Sequence, residues 1–301
     1  MDEGRDLSRG RPQVSAELRA RLLERGTCDH YEDAALYDFE YADRFEDIEW
    51  YVALADEVSK EAGRPLRILE LGAGTGRISL ALLASGHHIT ALDRMAPMLE
   101  RLAAKVKKPA ERAQLRVLEA DMTAPPIDDG AFDLVLAPFN TLMHLYTQEE
   151  LRRCFAAAWR ALSEGGTLAF DVLLPDLEWL TWDPSKRHAV TFFKHPTTGE
   201  RLVYSTNHTY DPATQVCHVR IFYDDAPARP RAFTPPPVPR RLVHLAHRQI
   251  FPEELRLLVA TAGFTLESHT GDFCGAPLSV DVQSQVVRCR KPARRRRPGK
   301  S

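Results

Sequence analysis

Gly72, Gly74 and Gly76 stand in the stretch LELGAGTGR, between an apolar run and a helical one. A strand that passes directly into a helix through glycines leaves its main chain bare, with the helix's first N–H groups facing whatever lies there. A nucleotide-like cofactor suits such a backbone. The spacing is GxGxG rather than GxGxxG, which argues against a dinucleotide, and no lysine followed by Ser or Thr closes a triphosphate loop. About twenty residues on, Asp93 ends a second apolar run, where a carboxylate can accept both hydroxyls of a ribose. Asp121, followed by Met122, ends a third. Glu70, Asp93 and Asp121 thus mark three successive strand ends, on the carboxyl edge where doubly wound sheets bind ligands. A ligand with a ribose, a base amine and a cationic centre but no phosphate would suit them.

The elements that must position these residues alternate short apolar runs with amphipathic ones, the pattern of a parallel sheet covered by helices. The expected strands are 67–71, 88–92, 115–120, 132–138 and 167–172. Helices are expected in RISLALLA, in APMLERLAAKVKK, and in TQEELRRCFAAAWRALSEGG, with Thr147 as N-cap and Gly165 and Gly166 as the stop. Right-handed crossovers make this unit doubly wound. Upstream, residues 44–63 read as a helix with Phe45, Ile48, Tyr51, Val52, Ala55 and Val58 along one stripe. Beyond Val172 the rhythm changes to AVTFFKH, RLVYSTNHTY, QVCHVRIFYDD and RLVHLAHRQIF, strands of an antiparallel insertion, with a proline-rich exposed loop before the last. A helix over 252–262 and the strands TLESHT and SQVVRCR complete the core. The division expected is an N-terminal cover (1–43), a Rossmann-like core (44–174), the insertion as a substrate lid (175–250), completion of the core (251–290) and a disordered basic tail (291–301).

The 301 residues are 44% hydrophobic and 27% charged with a net charge of −2, which fits one principal soluble domain with an elaboration. The first residues lack the apolar centre of a secretory signal, and no apolar run approaches the ~20 residues that span a bilayer. Five scattered cysteines indicate neither a disulfide framework nor zinc, so a cytoplasmic protein is expected. His87, His88, His188, His195, His218, His244, His247 and His269 have no metal-site spacing and read as structural or surface residues.

LELGAGTGR, ALDRMAPML, EADM and FDLVLAPFNTLMHL closely resemble, in order and spacing, the class I S-adenosylmethionine-dependent methyltransferases, especially the bacterial small-molecule group. The resemblance covers 37–172, and more loosely 248–290. It implies a seven-stranded, mostly parallel sheet whose last strand is antiparallel, and S-adenosyl-L-methionine as cofactor. By the same resemblance, Gly72, Ala73 and Gly74 pass under the methionyl and ribose parts, Asp93 holds the ribose, Arg94 and Met95 flank the adenine, and Asp121 with Met122 reads its amino group. Pro138, in the fourth-strand segment, is placed against the cofactor with Glu70. Arg77 pairs with the methionyl carboxylate or makes an exposed ion pair. Tyr37 and Tyr41 close over the sulfonium or simply pack the cover. Where the group often has a serine cap, this chain has Met95.

His144 lies in the segment that lines the transfer site in such enzymes and is the candidate base, unless it packs the following helix. Asn140, in the same turn, is the candidate for the cofactor's ammonium or the nucleophile, or else merely tolerates the turn. By alternation Leu202, Tyr204, Thr206, His208 and Tyr210 share one face, which could roof a substrate pocket. The expected reaction is in-line methyl transfer to a nitrogen or oxygen of a small molecule. RNA or protein methylation through the arginine tail, and a non-catalytic cofactor-binding regulator, are the alternatives. The loop after the fourth strand lacks the Asn-Pro-Pro-Tyr of DNA amino-methyltransferases, which speaks against nucleic acid.

Overall fold

The computed structural model describes residues 15–228 and 233–293. The strands are β1 (Arg67–Leu71), β2 (His88–Asp93), β3 (Leu115–Glu119), β4 (Phe132–Ala137) and β5 (Leu162–Leu173), with β10 (Thr265–Thr270) and β11 (Ser284–Arg290) after the insertion. They form one sheet in the order β10-β11-β5-β4-β1-β2-β3, in which β11 runs antiparallel to both neighbours and the rest of the core pairs are parallel. The chain moves outward from β1 to β3, then crosses back to β4. The carboxyl ends of β1 and β4 therefore flank the switch point where ligands bind in such sheets.

Apolar residues on both faces of the strands explain the two helical layers. On one face Leu69, Val135 and Phe170 pack with Leu151, Phe155 and Ala158 of α7 (Gln148–Ala161) and with Leu255 and Val259 of α9 (Pro252–Thr261). On the other, Ile68, Ile89 and Leu134 meet Tyr51, Leu54 and Val58 of α3 (Glu46–Ala62), Ile78 and Leu82 of α4 (Arg77–Ala84), and Leu102 of α5 (Ala96–Lys105). The expected doubly wound, seven-stranded Rossmann-like sheet is present.

Several boundaries differ from expectation. Phe45 is not on the α3 stripe: it precedes the helix and is 57% exposed. The helix after Asp93 ends at Lys105, because Val106 turns extended, and a short helix α6 (Pro109–Gln114) follows. Thr147 does cap α7, in a reciprocal box with Glu150. That helix nevertheless stops at Ala161, ahead of the glycine pair. Leu162 already pairs with Phe132, and the main chains of Gly165 and Gly166 bond to Lys291.

Lys291, expected to open the basic tail, is only 8% exposed. Its Nζ donates to the carbonyls of Trp159 and Leu162 at 2.8 and 2.6 Å and stands over the Trp159 ring. A cation at a helix C-terminus complements carbonyls that lack a helical partner. The rest of the arginine tail, 294–301, lies outside the described residues.

The insertion contains a one-turn helix α8 (Leu177–Leu180) and four strands, β6 (His188–Lys194), β7 (Arg201–Asp211), β8 (Val216–Asp225) and β9 (Arg241–Arg248), in an antiparallel sheet of that order. The cover comprises α1 (Ala16–Cys28), a 3-10 turn at Asp29–Tyr31 and α2 (Ala34–Glu40). Leu36 of α2 packs with Ile221, Tyr223 and Val243 of the insertion sheet. Gly26 of α1 meets Ala246 of β9 so closely that an added Cβ would lie 2.4 Å from the Ala246 Cβ. The cover is thus wedged between the insertion and the core.

Candidate active site

A cleft of about 460 Å³ opens at the carboxyl ends of β1, β2, β3 and β4. Its wall includes Tyr37, Glu70, Gly72, Ala73, Gly74, Arg77, Asp93, Arg94, Met95, Asp121, Met122, Pro138 and His144, so the structure brings most of the expected site residues to a single cavity. Asn140 and Tyr41 do not line the cleft.

The glycines are bare for two reasons. At Gly76 the space is filled by protein: its φ is 86° and an added Cβ would meet Leu102 Cδ1 at 2.1 Å. Gly72, at φ 65°, borders the cleft but also presses on Thr141, whose Cγ2 and Oγ1 would both lie 2.6 Å from an added Cβ. Close packing of the loop onto α5 and onto the turn after β4, beside any ligand, is therefore what forbids side chains there.

Asp93 ends β2 with its carboxylate held by two backbone donors, Gly74 N–H to Oδ2 and Met95 N–H to Oδ1, both at 2.8 Å. Each oxygen keeps a second lone pair for a ligand hydroxyl. Burial in the cleft raises its pKa, opposed by those N–H groups. Met95 offers no side-chain cap to α5, as its residue type requires, and Pro97 in the first turn removes one donor that would need a partner. Asp121 is exposed and accepts the Thr123 N–H at 2.7 Å. Glu70 is buried and receives the Ser79 hydroxyl; burial pushes its carboxyl up to about 8, against the Ser79 bond. A ribose-and-amine ligand without phosphate fits this donor set: carboxylates stand at the β2 and β3 ends, and none of the residues lining the cleft is a lysine.

On the wall of the same cleft, Tyr31 Oη lies 2.7 Å from His144 Nε2. Burial holds the His144 pKa well below the usual imidazole range, helped by His247, whose ring centroid is 4.9 Å away. Burial raises the Tyr31 phenol well above 10. A neutral imidazole therefore faces a neutral phenol, with Nδ1 buried and, among the described residues, without a partner. Tyr37 packs 5.7 Å from Tyr31 and 4.7 Å from Tyr41. Tyr41 itself stands against Phe139 at 4.9 Å and is not on the cleft wall.

Arg77 makes a largely buried ion pair rather than an exposed one. Its guanidinium holds Asp47 of α3 through two bonds at 3.0 and 2.9 Å, reaches the Arg44 carbonyl, and stacks 4.7 Å over Phe139. Phe139 and Asn140 both have left-handed backbones, φ 54° and 65°. Such a conformation costs roughly 1–3 kcal/mol for a residue other than glycine. Asn140 takes a left-handed position in the turn and is off the cleft wall, whereas Phe139 reaches the cleft.

The expected roof is also different. None of Leu202, Tyr204, Thr206, His208 or Tyr210 lines the cleft. Tyr204 packs on Tyr223, and His208 stacks on Trp179 and bonds its carbonyl at 2.7 Å. The cavity is covered by Thr27, Tyr31 and Tyr37 of the N-terminal segment. Sequence reasoning does not single out Tyr31 or Phe139 as site residues, and reads His247 as a structural or surface residue, whereas its ring packs on His144. Tyr31 shares an aromatic, acidic segment with Tyr37, the one signal that could have flagged it.

The methyltransferase-domain family matches residues 68–166, which run from β1 to the glycine pair in β5. A demethylmenaquinone methyltransferase of Clavibacter sepedonicus is 37% identical over 119 residues, 40% of this chain and 45% of that protein. The chain spans about half the length of the curated relatives it matches. Among solved structures, the CcbJ methyltransferase of Streptomyces caelestis aligns with a TM-score of 0.62 at 24% identity, over 82% of this chain and 89% of that one. An S-adenosylmethionine-dependent methyltransferase of Clostridium acetobutylicum aligns with a TM-score of 0.64 at 15% identity, over 88% and 99%. Sheet order, the matched domain and these likenesses agree: residues 68–166 match a methyltransferase domain, and the chain shares its fold with S-adenosylmethionine-dependent methyltransferases.

Proposed function

We propose that this chain is a cytoplasmic enzyme that transfers a methyl group from S-adenosylmethionine to a nitrogen or oxygen of a small molecule. The observation that carries the reading is one cavity lined both by Asp93 and by the neutral Tyr31 and His144 pair. When bound, the cofactor supplies a methyl group on a sulfonium, open to in-line attack. Asp93 accepts the ribose hydroxyls, Arg94, Met95, Asp121 and Met122 surround the adenine, and Gly72, Ala73, Gly74, Pro138 and the guanidinium of Arg77 border the methionyl part. The rings of Tyr37 and Phe139 turn electron-rich surfaces to a cation. Holding nucleophile and methyl in line supplies much of the ~7–11 kcal/mol available from orientation.

The proton on the acceptor's nucleophile passes to Tyr31 Oη as the Tyr31 proton passes to His144 Nε2, leaving neutral tyrosine and imidazolium. The His144 ring is neutral beforehand, so its Nε2 lone pair is open to that proton. The wedged cover favours a small acceptor, since Thr27, Tyr31 and Tyr37 close the cavity from above. The test is equilibrium titration with S-adenosylhomocysteine, followed by labelled methyl transfer into a fractionated cell extract. Binding, with label in the low-molecular-weight fraction, is the expected result. No binding, or label confined to RNA or protein, overturns the reading.

A further inference from the structure

The Phe139–Asn140 turn is held from behind by a group outside the cleft. Asp171 lies near the end of β5, only 4% exposed, where its Oδ1 accepts the Phe139 N–H at 2.8 Å and the Tyr51 hydroxyl at 2.7 Å. The Asp171 carbonyl accepts the Asn140 N–H at 3.3 Å. Among the described residues no cation pairs with this carboxylate. The guanidinium of Arg77, beside the same turn, is taken by Asp47. A buried carboxylate with no counter-charge is costly to keep, and replacement by an apolar residue would often be neutral or stabilising if packing were its only use.

We propose that Asp171 is a positioning residue: its carboxylate fixes the left-handed Phe139–Asn140 turn and thereby sets the wall of the cleft from Phe139 to His144. That role rests on the cofactor reading given above. The turn's other hydrogen bonds are local, from the Thr141 N–H and hydroxyl to the Pro138 carbonyl and from the Met143 N–H to the Asn140 carbonyl; Asn140 Oδ1 is buried without a partner among the described residues, and the Phe139 ring lies under the Arg77 guanidinium and edge-on to Tyr41. From Asn140 the chain enters the 3-10 turn Thr141–His144 at once, so a shift at Phe139 is passed to His144 within one turn.

Asp171 also carries a pH signature. Burial raises its carboxyl to about 6, against the bonds from Tyr51, Phe139 and Asn140 that favour the ionised form, while Asp47 raises it further. The other ionisable groups around it are Tyr51 and Asp47 on α3, Arg77 on α4 and Glu70 on β1. Because the folded value lies above that of free aspartate, ionising Asp171 removes stability as pH rises through about 6. The native state tolerates that loss in the form that accepts all its donors.

The test uses the full chain, Asp171→Ala, Asp171→Asn and Tyr51→Phe. Hydrogen exchange of the segment 134–145 should show loss of protection in Asp171→Ala and its retention in Asp171→Asn, which keeps an acceptor oxygen. S-adenosylhomocysteine affinity, measured by calorimetry, should fall about tenfold to a hundredfold in Asp171→Ala. Tyr51→Phe removes one donor to Oδ1 and should leave the Phe139 N–H bonded and the turn protected. Protection and affinity in Asp171→Ala equal to wild type overturn the proposal, as does loss of both in Asp171→Asn. If Asp171→Ala unfolds, the Asp171→Asn arm decides alone. Failure of the wild type to bind the probe would overturn the cofactor reading instead, and hydrogen exchange would still judge the turn.

Discussion

Removing the Asp93 carboxylate should abolish recognition of the ribose, and the structure sets the size of the loss. Both oxygens already accept one backbone N–H each, so one lone pair per oxygen remains for the sugar. Two hydroxyl bonds to a carboxylate at about 1.5–3 kcal/mol each give about 3–6 kcal/mol, or roughly 10²–10⁴ in affinity. Asp93→Ala would also free the Gly74 and Met95 N–H groups, so binding loss alone would not isolate the sugar contact. The sharper assay compares S-adenosylhomocysteine with its 2′-deoxy analogue by calorimetry. Wild type should favour the parent by roughly tenfold to a hundredfold, the worth of one such bond. In Asp93→Ala that ratio should collapse towards one, whatever happens to absolute affinity. A ratio preserved in the variant, or no preference in the wild type, would refute the assignment.

Once an acceptor is found, Tyr31→Phe and His144→Gln should lower kcat, by about 10²–10⁴-fold for a hydroxyl acceptor, with S-adenosylhomocysteine affinity nearly unchanged. Because burial holds His144 well below its ordinary range, wild-type kcat should show no imidazole limb near about pH 6.5, and such a limb would argue against a neutral base. Lys291→Met removes two charge-assisted bonds to carbonyls while keeping the aliphatic stem, and should lower stability by about 2–4 kcal/mol, seen as a fall of roughly 5–10 °C in thermal unfolding. A melting curve equal to wild type would show that water serves those carbonyls as well.

The core is legible because its signals are local. The parallel strands are short, largely apolar runs bounded by turns, and Asp93 at the end of β2 and Asp121 just past the end of β3 follow from where those strands stop. Thr147 can be read as a cap because its partner Glu150 is three residues away. Lys291 cannot be read: in sequence it opens an arginine-rich tail, and only the carbonyls at and just past the end of α7, 132 and 129 residues earlier, make its burial favourable. Asn140 draws attention over Phe139 because polar side chains suggest chemistry, whereas the backbone gives a left-handed position to both and the cleft to Phe139. The roof fails for a similar reason. Strand alternation groups the β7 residues on one face, but it cannot say that Leu36 and the tyrosines of the cover lie between the insertion sheet and the cavity.

The wedged cover joins the two ends of the polypeptide's history. Its Asp29 accepts the His244 N–H across 215 positions, and Tyr223 donates to Glu40 across 183. During synthesis on the ribosome the cover can dock on β1 to β5 and their helices first, through Tyr31 on His144 and Asp38 on Lys105, with its outer side unbraced until β8 and β9 appear. Pairings of such long range are slow to form. Translation order thus makes bracing of the cover, by Tyr223 on Glu40 and His244 on Asp29, one of the last events in maturation.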